Sequence, residues 1–261
     1  MSSIVESDTG GASSRTLKGS ARPYAVLRSV FQALSSLLSL AALLLPAVAA
    51  AECASAPPII GGDQKCVETL TVVAFGDSLT AGYLLPASQA FPPQLERRLA
   101  ADGFPVRVVN AGVSGDTTAD GLARLDYALA ENPDLVILEL GANDMLRGVD
   151  PKAARENLEK MLAAIKEKGA AILLAGMKAS GNYGDAYRAQ FDAIYPGLAS
   201  ALSLPLYPFF LDGLEKDPAL LLQKDGLHPT AEGVARIVAG VAPAVEESLR
   251  EIMIERAKKA H

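Results

Sequence analysis

The stretch Leu70-Thr71-Val72-Val73-Ala74-Phe75-Gly76-Asp77-Ser78-Leu79-Thr80-Ala81-Gly82 joins a short apolar run to a turn and then to the start of an amphipathic segment. Such a run reads as a strand, and its successor as a helix. Working outward, the same alternation recurs: Val106 to Asn110, Leu135 to Leu140, Ala171 to Ala175 and Leu204 to Tyr207 are further apolar runs, separated by longer amphipathic stretches. The best punctuated of these stretches spans Pro151 to Lys168, with Asp150 as N-cap, Pro151 at the first helical position and Gly169 beyond the end. Strand, helix, strand repeated about five times predicts a parallel sheet, because parallel neighbours need crossover connections. The expected fold class is therefore α/β, a three-layer α/β/α sandwich with a five-stranded parallel sheet. In such sheets ligands bind at the carboxyl ends of the strands, so the residues just after each run carry the functional reading.

At 261 residues and 50% apolar content, the chain can bury a substantial core. Its N-terminus reads differently from the rest. Val30 to Leu45 is apolar apart from Gln32, Ser35, Ser36 and Ser39, with Arg22 and Arg28 before it and Ala47-Val48-Ala49-Ala50-Ala51 after it. That is the layout of a secretory signal peptide over residues 1–51; an uncleaved anchor is the alternative, and about sixteen residues is short for the ~20 a bilayer span needs. Residues 52–68 then read as a Pro/Gly-rich linker, 69–250 as one catalytic domain and 251–261 as a C-terminal tail. Export predicts a periplasmic or secreted protein with no stable membrane span once the signal is removed. Cys53 and Cys66, the only cysteines, lie in the linker, and either a short disulfide loop or two unpaired thiols fits. The net charge of −6, more negative still without the first 51 residues, argues against a nucleic-acid partner.

Four strand ends carry chemistry-bearing residues. Ser78 follows the first run, where free N–H groups of a helix start can stabilise negative charge; it reads either as a nucleophile or as an ordinary N-cap. His228 is one of two histidines, and the other, His261, is the terminal residue, so His228 is the credible base. In Asp225-Gly226-Leu227-His228 the carboxylate can fold back onto Nδ1, leaving Nε2 for the proton of Ser78. A turn aspartate beside a surface histidine is the plainer alternative. Acyl transfer also needs donors where an oxyanion forms, each worth ~3 kcal/mol. Candidates are the N–H groups of Ser78 and Gly115 and the side-chain amide of Asn143. Asp77 reads as a structural hydrogen-bond partner of its loop.

Together these residues resemble the GDSL, or SGNH, hydrolase superfamily, whose four blocks match Gly76-Asp77-Ser78-Leu79, Ser114-Gly115-Asp116, Gly141-Ala142-Asn143-Asp144 and Asp225-Gly226-Leu227-His228. Ala81-Gly82-Tyr83, Asn182-Tyr183-Gly184 and Leu206-Tyr207-Pro208-Phe209-Phe210 are similar to the subgroup of periplasmic acyl-CoA thioesterases, lysophospholipases and arylesterases. The resemblance implies a flavodoxin-like sheet and hydrolysis of small acyl esters and thioesters without metal or cofactor. It assigns Ser78, Asp225 and His228 to catalysis, and Ser78, Gly115 and Asn143 to the oxyanion hole. It further makes Tyr183 and Asn182 substrate contacts on a loop that shapes the acyl pocket; a surface loop with one exposed tyrosine is the alternative there. A monomer is expected. The rival functions are a carbohydrate acetylesterase and a non-catalytic flavodoxin-like binding module.

Overall fold

The computed structural model describes residues 68–259. The expected signal segment, nearly all of the linker, and both cysteines lie outside the described residues. Five strands, β1 (Leu70–Gly76), β2 (Val106–Gly112), β3 (Leu135–Glu139), β4 (Ala171–Ala175) and β5 (Leu206–Tyr207), form one sheet in the order β2-β1-β3-β4-β5, and every pairing is parallel. The connecting helices are α1 (Ser78–Ala81), α2 (Phe91–Ala101), α3 (Thr118–Leu129), α4 (Ala142–Leu146), α5 (Pro151–Glu167), α6 (Gly184–Asp192), α7 (Ile194–Leu202), α8 (Pro218–Leu221) and α9 (Ala231–Lys259). Helices α2 and α9 pack together against one face of the sheet, and α3, α5 and α7 cover the other. This is the three-layer sandwich the alternating pattern predicted.

Burial explains why the strands read as apolar runs without alternation. Val72, Val73, Ala74 and Phe75 in β1, and Leu135, Val136, Ile137 and Leu138 in β3, are all buried. Both sheet faces exclude water, so both sets of side chains must be apolar. The helices instead bury one stripe: in α5 Ala154, Leu158, Met161, Leu162 and Ile165 face the core at helical spacing. Asp150 caps that helix by accepting from the Lys152 N–H, as its sequence predicted.

Two boundaries differ from expectation. The fifth strand is only Leu206–Tyr207, shorter than the run beginning at Leu204. The Leu204 N–H is taken by the Ala199 carbonyl at the end of α7, and Pro205 has no N–H to give, so pairing begins only where both constraints lapse. The C-terminal residues 251–259, expected as a tail, continue α9 without interruption. Ile252 packs on the core, and Arg256 reaches Glu68 (3.0 Å) and Asp134 near the amino ends of β1 and β3, which holds the last turns against the body.

With Leu138 fully buried at the centre of β3 and Tyr127 84% exposed on α3, their truncations should separate cleanly. Leu138→Ala should lower the free energy of unfolding in urea by about 2–5 kcal/mol, against less than about 0.5 kcal/mol for Tyr127→Ala.

Candidate active site

The strand order reverses at β1, which pairs with β2 on one side and β3 on the other. The segments leaving β1 and β3 therefore diverge and open a crevice at the carboxyl edge. Ser78 is the first residue of α1 and directly follows the turn out of β1. It is not the N-cap of that helix. Asp77 fills the role, its Oδ1 accepting from the Leu79 N–H at 3.0 Å, and so leaves the Ser78 hydroxyl free of a capping duty.

His228 comes from the loop before α9, 150 positions along the chain. Its Nε2 lies 2.9 Å from Ser78 Oγ and its Nδ1 lies 2.6 Å from Asp225 Oδ2. The Asp225 carboxylate can fold back because Gly226 sits at φ +69°, in the left-handed region that glycine adopts freely. Its other oxygen accepts the N–H groups of Leu227 and His228, both at 3.0 Å. Those backbone donors, the His228 N–H foremost, hold the Asp225 carboxyl down at about 2. The acid is thus an anion whose orientation the loop itself dictates.

Two residues not singled out beforehand secure the histidine. Its ring packs against Tyr83, with centroids 4.5 Å apart, and Gln223 Nε2 donates to the carbonyls of Tyr83 (2.8 Å) and Pro229 (2.9 Å). Gln223 thereby ties the His228 loop to the segment just after α1. Arg124 of α3 plays a similar part between strands. It donates to the Gly76 and Ala111 carbonyls, each at 2.9 Å, pairs with Asp116 and lies over the Phe75 ring. A lone tyrosine, glutamine or arginine carries no local signature of such long-range contacts.

Asn143, in the first turn of α4, points its amide toward Ser78's turn. Its Nδ2 donates to Asp77 Oδ2 (3.1 Å) and to the Asp116 carbonyl (3.0 Å). Gly115 stands in the turn after β2, its carbonyl accepting from Arg147 at 2.8 Å. The three expected oxyanion donors thus lie on three loops of one edge, linked through Asp77 and Asp116. Beside Ser78 and His228 is a cavity of about 140 Å³ whose apolar walls include Leu79, Met145, Leu146, Met177, Phe209 and Leu211. Asn182 and Tyr183 stand outside these walls: Asn182 is exposed, and Tyr183 donates from Oη to the Leu146 carbonyl at 3.0 Å, reaching the cavity only through that residue. Leu84, just after α1, is neither in this wall nor buried; it is 75% exposed, while Leu85 packs on the core. A larger cavity of about 310 Å³ between α5 and α7 has only Glu159 and Lys166 as charged groups and no nucleophile. The smaller one is where hydrolytic chemistry is possible.

Comparison with known proteins agrees with this geometry. Residues 74–236 match the model of the GDSL-like lipase/acylhydrolase family. An arylesterase of Vibrio mimicus is 43% identical over 172 residues, which is 66% of this chain and 86% of the relative, and an esterase TesA of Pseudomonas aeruginosa is 41% identical over 187 residues, 71% and 92% of the two chains. The crystal structure of AlinE4, an SGNH-hydrolase family esterase, superposes with a TM-score of 0.59 at 45% identity, covering 70% of this chain and 98% of that one. With the family match taking in the turn of Ser78, the Asn143 loop and the His228 loop alike, the chain belongs to the GDSL-like lipase/acylhydrolase family.

Proposed function

We propose that this protein is an exported serine hydrolase that cleaves carboxylic esters and thioesters of acyl groups through an acyl-enzyme on Ser78. The observation that carries the reading is the continuous relay Asp225 Oδ2, His228 Nδ1, His228 Nε2, Ser78 Oγ at 2.6 and 2.9 Å, opening onto an apolar cavity. A binding module has no use for such a relay.

In this mechanism His228 Nε2 takes the hydroxyl proton as Ser78 Oγ attacks the acyl carbonyl carbon. Asp225 holds the imidazole in the tautomer with its proton on Nδ1 and stabilises the imidazolium that forms. The carbonyl oxygen becomes an oxyanion facing the N–H groups of Ser78 and Gly115 and the Asn143 amide. Because Asn143 already donates to Asp77 and to the Asp116 carbonyl, the oxyanion competes with one of these acceptors. The leaving alcohol or thiol departs with the proton from His228, and water, activated at the same nitrogen, releases the acid and restores Ser78. The apolar wall around the cavity favours an acyl chain over an acetyl group. Tyr183 acts on the acyl pocket at one remove, by bracing the Leu146 segment.

The test is hydrolysis of a p-nitrophenyl ester series from acetate to palmitate. Medium chains should be preferred; turnover of acetate alone would favour a carbohydrate acetylesterase, and inactivity on all esters a binding module. Ser78→Ala and His228→Ala should abolish turnover, and Asp225→Asn should lower kcat by about 10⁴-fold with KM little changed, as expected where a triad histidine loses its tautomer. For export, N-terminal sequencing of protein recovered outside the cytoplasm should find a start just after Ala49 or Ala51. A full-length N-terminus would support the uncleaved anchor.

A further inference from the structure

Among the buried acids that the hydrolytic relay leaves unused, Glu139 lies directly beneath the turn of Ser78. Glu139 is the last residue of β3, paired in register with Gly76 at the end of β1, and is only 1% exposed. Its Oε2 accepts the Thr80 hydroxyl at 2.8 Å and the Asp77 N–H at 3.4 Å, so it grips the nucleophile turn on both sides of Ser78. Among the described residues its Oε1 has no hydrogen-bond partner. The fit is close. A Cβ at Gly76 would stand 2.5 Å from Glu139 Oε2 and 2.2 Å from Thr80 Oγ1, so only glycine lets the carboxyl pass beneath the turn.

The grip extends beyond the turn. Asp77, also fully buried, accepts from Leu79 N–H with one oxygen and from the Asn143 amide with the other. Glu139 therefore stands at the base of a hydrogen-bonded chain that reaches from the sheet through Asp77 to Asn143. Burying a carboxyl is costly when its partners are few, because its hydration is lost without full replacement. Burial first, and then the neighbouring Asp77, pushes the Glu139 carboxyl well above the usual range, so it resists ionisation.

We propose that Glu139 is a positioning residue for the reaction, fixing through Thr80 and Asp77 the turn that presents Ser78 and the amide of Asn143. The proposal rests on the reading of Ser78 as nucleophile. A shift of the turn by a fraction of an ångström would move both the attacking oxygen and the oxyanion donors while leaving the acyl cavity intact. The loss should accordingly fall on kcat rather than on KM.

The experiment compares Glu139→Leu, Glu139→Gln and Thr80→Val with the wild-type full chain. It measures kcat and KM on a medium-chain p-nitrophenyl ester, the rate of covalent labelling by a fluorophosphonate, and the melting temperature. Glu139→Leu should lower kcat and the labelling rate together by about 10²-fold with KM within about twofold. Glu139→Gln keeps a neutral acceptor in place and should recover all but about tenfold of that loss. Thr80→Val removes the same bond from its other end and should also lower kcat, which keeps the test decisive if Glu139→Leu fails to fold. A folded Glu139→Leu or Thr80→Val with wild-type kcat overturns the proposal, as does Glu139→Gln as slow as Glu139→Leu. A melting temperature that drops while kcat holds would assign Glu139 to stability alone. Labelling that persists in Ser78→Ala would instead sink the nucleophile assignment, and so marks that failure separately.

Discussion

Everything at the catalytic edge depends on the parallel pairing of β1 between β2 and β3. Parallel strands all end on the same edge, so the segments after β1, β2 and β3 emerge side by side although they are far apart along the chain. Because the order reverses at β1, the segments after β1 and β3 leave in different directions, and the space between them is left open. Ser78 and Asn143 face each other across that opening, held through Asp77. The loop of His228, which follows β5 and leads into α9, closes the third side. Arg124 reinforces the arrangement by donating to the carbonyls at the ends of β1 and β2 together.

The carboxylates around this edge divide into two populations by their surroundings. Asp225 is partly exposed and accepts two backbone N–H groups, and its carboxyl is lowered to about 2. Asp77 in the turn after β1 and Glu139 at the end of β3 are buried against each other, and desolvation raises both, Asp77 to about 6. One acid is thus kept charged beside an imidazole, while the buried pair beneath Ser78 resists ionisation. Environments that drive neighbouring acids apart in this way are how a single fold assigns different roles to the same functional group.

The short-range half of this architecture was legible in the chain. The strand of Leu70 to Phe75, the capped helix after Asp150 and the turn of Asp225-Gly226-Leu227-His228 each announce themselves within a few residues, because apolar runs, caps and glycine turns obey local rules. The meeting of Ser78, His228 and Asp225 was legible for a further reason: with only two histidines and one of them terminal, few pairings were open. What escaped were residues whose role is set by distant partners. Tyr83 and Gln223 meet across 140 positions, and Glu139 reads from the sequence as the end of an apolar strand. The short fifth strand and the helical C-terminus escaped for the same cause, since each is decided by a contact: Ala199 on Leu204, and Asp134 on Arg256.

By itself, then, the sequence determined the alternation of strands and helices, the parallel sheet that alternation requires, and the grouping of Ser78, Asp225 and His228 at one edge of it. These follow from periodicity, connection length and residue chemistry, which act along the chain. Only the tertiary structure decided that Asp77 rather than Ser78 caps α1, that Asn143 is already bonded to Asp77, and that a buried Glu139 lies beneath the turn. Those outcomes are settled by which side chains compete for the same few donors and acceptors once water is excluded, and that competition takes place only in the folded molecule.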